Sequence, residues 1–132
     1  MAQIRLSQGE KLFTERRSMT FRKEQFEYTH TGIIDANGDC WTTTELDESN
    51  INQVYNAYRR KHAIPFPEEI AELRKYYGVS AAKMSEILGF GINQYRLYED
   101  GEVPSLSNAR ILISIRRKSV FLDYLLAVSY KH

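Results

Sequence analysis

A single cysteine, Cys40, stands in the 132 residues. It excludes an internal disulfide and a cysteine-rich zinc cluster, and it fits a reducing compartment, so a cytoplasmic protein is expected. No apolar run approaches the ~20 residues that a bilayer-spanning helix needs, and no secretory leader is expected at the start. An excess of one charge is also lacking. Eighteen Lys and Arg against 17 Asp and Glu leave +1, so any attraction to nucleic acid or to an anionic surface must come from a local patch. Gly89-Phe90-Gly91 has no following lysine, third glycine or preceding strand, which excludes a phosphate-cradling loop. No nucleophile–base pairing is legible either. Asp35 and Asp39 flank a turn, where Asp serves its own main chain, and no enzyme is expected.

What is present is enough chain for one domain or two very small ones, burying roughly two thirds of its unfolded surface. The two halves differ in texture. Residues 1–65 hold nine basic and nine acidic side chains, so the +1 resides in residues 66–132. Residues 19–44 are rich in Thr and aromatics with two-residue alternation, whereas almost everything after Asp47 repeats at helical spacing. Pro65-Phe66-Pro67 is the natural seam, because the residue before each proline is biased away from helix.

Residues 1–18 have no clean period and read as a weakly ordered arm. Residues 20–30 read as a strand, with Phe26, Tyr28 and His30 on one face. Ile33-Ile34 and Cys40-Trp41 flank a turn containing Asn37-Gly38, the commonest signal for a tight hairpin. An antiparallel ribbon over roughly 20–43 follows, with Cys40 packing as a small apolar residue beside Trp41. Two strands alone are marginal. The next helix is expected to support them through Ile51, Val54, Tyr55 and Tyr58, capped by Thr44 or Asp47. Arg59-Arg60-Lys61 complement that helix's C-terminal dipole.

Short helices fill the rest. Pro67, Glu68 and Glu69 open one whose apolar stripe is Ile70, Leu73 and Tyr77, ending at Gly78. Ser80 caps a second, with Met84, Ile87 and Leu88 buried, ending at Gly89. A third is expected from Ile92 to about Glu99, a fourth from Ser105 to Ile115 closed by Arg116-Arg117-Lys118, and a last over 119–128. That final apolar segment is either a dimer surface or the completion of the monomer's core.

Helix, glycine turn, helix is the pattern of a helix-turn-helix, whose second member enters the DNA major groove. Tyr95 and Tyr98, three apart, are expected to face inward, leaving Asn93, Arg96 and Leu97, with Gln94 beside them, on the opposite face. Asn and Gln can bind adenine through N6 and N7, and Arg can grip guanine O6 and N7. Ser80 with the amides around it could hold a phosphate, and Lys83 could add a point charge. Each of these side chains, taken alone, also fits an ordinary solvated surface.

The stretch from Ser80 to Gly101, SAAKMSEILGFGINQYRLYEDG, resembles the helix-turn-helix of the YgiT/MqsA-type antitoxin regulators, within the wider Xre/Cro-repressor class. The tract Thr42 to Tyr58, TTTELDESNINQVYNAY, extends the similarity, as do Ile64-Pro65-Phe66-Pro67-Glu68-Glu69-Ile70 and Glu102-Val103-Pro104-Ser105-Leu106-Ser107-Asn108. The likeness covers roughly residues 19–118, in the family's order and spacing. It implies a mainly α fold with a small N-terminal β-hairpin and a five-helix Xre/Cro-type domain. The parts would be an arm at 1–18, a degenerate ribbon with a linking helix at 19–63, and the helix-turn-helix domain at 64–132. It implies a homodimer that binds a palindromic operator in double-stranded DNA and represses its own toxin–antitoxin operon, with a cognate toxin as a further partner. In a related subgroup the same module precedes a SocA-like domain.

By that resemblance Asn93 falls on a base-reading position. The arginine that usually precedes the Tyr-Glu pair is replaced by Leu97, and Arg96 lies one residue earlier, about 100° around a helix. The family's zinc ribbon has two CxxC pairs; this chain has Cys40, His30, His62 and His132 and no CxxC, so no metal and no cofactor are expected. The alternative is a protein-interaction module that keeps the fold without specific DNA binding, with Phe26, Tyr28 and Trp41 as its working surface.

Overall fold

Lys11–Phe21 and Glu24–Ile34 form strands β1 and β2, antiparallel along their whole length with Phe21 opposite Glu24 and Lys11 opposite Ile34. They meet at a two-residue turn in which Arg22 and Lys23 both take positive φ, 49° and 69°. This is the mirror-image turn whose twist matches the strands, here built without Asn or Gly. The expected turn at Asn37-Gly38 is also present. It leads into β3 (Cys40–Trp41), which pairs with the end of β2 through Ile33 and Ile34. Asp35 Oδ1 accepts from the Asn37 and Asp39 amides at 2.8 and 3.0 Å, holding that turn.

The computed structural model describes residues 4–129 in two compact units, one running to Tyr58 and the other from Arg59. Two expectations are corrected in the first. The weakly ordered arm at 1–18 gives way to strand from Lys11 onward. The small hairpin is a three-stranded sheet in the order β1-β2-β3. The physical reason is that β1 is exposed along most of its length, so no apolar alternation marks it; its register comes from β2. Cys40 is exposed rather than packed.

Helix α1 (Thr44–Lys61) supports the sheet as expected, but its cap is Thr43, whose Oγ1 accepts from Leu46 N at 3.2 Å. Its buried line is Leu46, Asn50, Val54 and Tyr58, a four-residue spacing that keeps one face on the sheet. Phe21 lies 5.0 Å from the rings of both Tyr55 and Tyr58. Asn50 and Gln53 bond the main chain of β2 at Thr31 and Thr29.

The second unit holds α2 (Pro67–Tyr77), α3 (Ala81–Leu88), α4 (Gln94–Glu99), α5 (Leu106–Ser114) and α6 (Lys118–Ser129). Glycine in the left-handed region ends α2 at Gly78 and α3 at Gly89, φ 68° and 75°. Ile70, Met84, Leu88, Tyr95, Leu112 and Phe121 gather into one core, each buried side chain of this size contributing about 1.5–3 kcal/mol. In α6, Phe121 stacks on Tyr77 at 3.7 Å while Leu122 and Leu126 stay exposed, so the 119–128 segment completes the core with one face and leaves another open.

The expectation of five helices with a small hairpin is therefore corrected. Among the described residues the chain is a mixed α/β fold of six helices and a three-stranded antiparallel sheet. No helix among them is long and apolar enough to cross a membrane.

Candidate nucleic-acid interface

Helices α3 and α4 pack on one another across a turn that two left-handed residues shape. Gly89 supplies the first. Asn93, φ 65° and ψ 1°, supplies the second and stands immediately ahead of α4. The expected helix start at Ile92 is thus corrected to Gln94, because a residue in the left-handed region cannot continue a right-handed helix. Asn93 sits on the turn at the tip of α4 and is exposed, with no side-chain hydrogen bond capping the helix.

Tyr95 and Tyr98 point inward, as expected, and fix α4 from three directions. The Tyr95 hydroxyl donates to Ile70 O of α2 at 2.6 Å, and the Tyr95 amide donates to Ser85 Oγ of α3 at 2.9 Å. The Tyr98 hydroxyl accepts from Asn108 Nδ2 of α5 at 2.8 Å. Burial pushes the Tyr95 phenol far above its ordinary value, with the Glu99 charge adding to the effect. Arg74 of α2 clasps Glu99 of α4 with two parallel hydrogen bonds, Nε to Oε2 at 2.6 Å and Nη2 to Oε1 at 2.9 Å. That hydrogen-bonded pairing raises the guanidinium's pKa further. A six-residue helix could not hold its own shape in water; these anchors do it.

The anchoring leaves Arg96 and Leu97 exposed on α4 beside Asn93. Gln94 is half-buried, its Nε2 hydrogen-bonded to Glu102 Oε2. Ser80 caps α3 by accepting from Lys83 N at 3.0 Å; its own hydroxyl proton remains available to donate. Lys83 is exposed, with Nζ 3.5 Å from Glu86 Oε1. Two residues were not singled out from the sequence. Ile92 is 92% exposed at the tip of the turn. Arg59, read as a helix-end charge, is buried and donates from Nη2 to Gly101 O at 2.8 Å, holding the segment that leaves α4. Its position at the start of a basic triplet gives no sign of this; only the tertiary path of residue 101 does.

Charge on this surface is sparse. From Ser80 to Glu102 there are two basic residues, Lys83 and Arg96, and four acidic ones, Glu86, Glu99, Asp100 and Glu102; Arg74 answers Glu99. Among the described residues no group of three His, Cys, Asp or Glu could hold a metal ion, and His132 lies outside them.

No family model, curated protein or solved structure matches this chain.

Proposed function

We propose that the second unit is a sequence-specific DNA-binding module, and that the protein is an antitoxin-like, cytoplasmic repressor of its own operon acting as a homodimer. One observation carries the reading: a short helix braced on its inner side by Tyr95, Tyr98 and Glu99 presents Asn93, Arg96 and Leu97 outward from a left-handed turn. In this reading Asn93 binds an adenine edge, Arg96 a guanine, and Leu97 meets a thymine methyl. Ser80 and Lys83 hold phosphates and set the register. Gln94 reaches a base only by leaving Glu102. A two-fold protein would match a palindromic operator with half-sites about 34 Å apart.

The test is a mobility-shift titration against the DNA upstream of the protein's own gene. Asn93→Ala is expected to lose at least tenfold in affinity with its unfolding temperature unchanged. Equal affinity in the variant rejects the assignment. Affinity should also fall steeply with salt, as phosphate contacts require.

The acidic excess between Ser80 and Glu102 favours a second reading, a protein-interaction module that has kept the helix-turn-helix without an operator. Stable complex formation with a toxin encoded beside the gene, with no shift of any DNA, decides for it.

A further inference from the structure

Among the described residues no strand covers the outer edge of β1. The sheet ends there, in the order β1-β2-β3, on a strand of 11 residues. Which main-chain groups face outward follows from the ladder. Thr29 and Thr31 give their amides and carbonyls to Gln53 and Asn50, on the side of β2 away from β1. Their partners Arg16 and Thr14 are therefore in non-hydrogen-bonded pairs and turn their own groups away from β2. By the two-residue period Leu12, Ser18 and Thr20 do the same. Five amides and five carbonyls in a row form a template for another strand.

We propose that two copies of this chain join β1 to β1, antiparallel about a two-fold axis at Arg16, making one six-stranded sheet. The inference stands on the first unit alone and does not rest on the DNA reading. Arg16 is the middle residue of Lys11–Phe21, so this register overlaps the whole strand and matches every outward group with another. The charges select it. Glu15 of each copy faces Arg17 of the other, twice, in the closely spaced pairs where side chains approach best. Phe13 faces Met19, also twice. The one like pair, Arg16 with its own copy, is relieved by Glu27, 3.5 Å from Arg16 within each hairpin. Sliding the axis by one residue sets Glu15 against Glu15, or Arg17 against Arg17 and Lys11 against Lys23. Moving it to Thr14 sets Lys11 against Arg17. Only the register at Arg16 combines full overlap with attraction, and the fit is that of a self-complementary, two-fold interface.

Sedimentation equilibrium of the full chain tests it, without DNA. The wild type is expected to dimerise. Ser18→Pro deletes an outward amide that β2 does not use, a substitution an edge strand tolerates, and is expected to raise the dimer dissociation constant at least tenfold. Leu126→Glu is expected to leave it unchanged. A monomeric wild type, or a dimer that Leu126→Glu dissociates and Ser18→Pro does not, overturns the proposal. Should Ser18→Pro fail to fold, cross-linking decides. In a Cys40→Ser background, Arg16→Cys brings its Cα within about 5.5 Å of its copy, inside disulfide range, and is expected to oxidise to a covalent dimer. Thr20→Cys, whose copies lie about 27 Å apart in this register, is expected to stay monomeric under denaturing electrophoresis. Equal cross-linking of the two sinks the register.

Discussion

The side-chain amide of Asn50 closes on both main-chain groups of Thr31: its Oδ1 accepts from the Thr31 amide and its Nδ2 donates to the Thr31 carbonyl, each at 3.0 Å. Gln53 does the same for Thr29, at 3.1 and 2.8 Å. Three residues along a helix thus match two along a strand, and α1 stands where β3, only two residues long, cannot reach. The edge of β2 is sealed by side chains, while among the described residues no strand covers that of β1.

Asn50 is buried, so its loss strands groups that water cannot easily reach. Asn50→Leu is expected to destabilise the first unit by about 2–4 kcal/mol, from the lost hydrogen bonds to Thr31 and to the buried His30 Nδ1 and the desolvated groups left behind. Urea unfolding monitored by Trp41 fluorescence measures this, and faster amide exchange at Thr31 than at Thr29 locates it.

The turn at Arg22-Lys23 keeps two side-chain-bearing residues in the left-handed region. Lys23→Gly is expected to stabilise the protein by about 0.5–1 kcal/mol, since glycine meets no Cβ penalty there. Lys23→Val should cost more than that gain. Thermal unfolding of the three proteins ranks them.

Stability should depend on Tyr95 at high pH. The unfolded phenol ionises near 10.0, whereas burial keeps the folded one protonated well above that. The unfolded state therefore holds fewer protons once pH exceeds 10, and stability falls as pH rises, by about 1.4 kcal/mol per pH unit for this one group. Below pH 10 the effect is absent. Tyr95→Phe should lose stability at neutral pH through its missing bond to Ile70 O, and its stability curve should be flatter than wild type above pH 10.

Arg74 and Glu99 are mostly shielded from solvent, at 22% and 12% side-chain exposure. Glu99→Gln keeps the shape, leaves the guanidinium one poor acceptor, and is expected to cost about 1–2 kcal/mol. Because the pair ties α2 to α4, exchange at the α4 amides should quicken more than at those of α5.

Much of the second unit was readable along the chain. Pro67, Ser80 and Ser105 open helices and Gly78 and Gly89 end them, because those residues act on the backbone next to them. Tyr95 and Tyr98 were legible as inward-facing from their spacing alone. Asn93 was singled out but mislocated by one step. An asparagine can sit in a helix or in the left-handed region, and the packing of α4 against its neighbours made the choice. Only the last two residues of β1, Thr20 and Phe21, are legible as strand, since a strand exposed along most of its length carries no hydrophobic period.

The sequence by itself determined the local events: where helices begin and stop, which rings turn inward, and where the chain reverses at Gly38. These depend on propensity and periodicity within a few residues. The tertiary structure alone decided that charged residues 11–18 are a strand, that Asn50 and Gln53 seal a sheet edge, and that Arg59 grips residue 101. Hydrogen bonds between groups 19–42 residues apart leave no imprint on the pattern near either partner, and only the folded path brings them together.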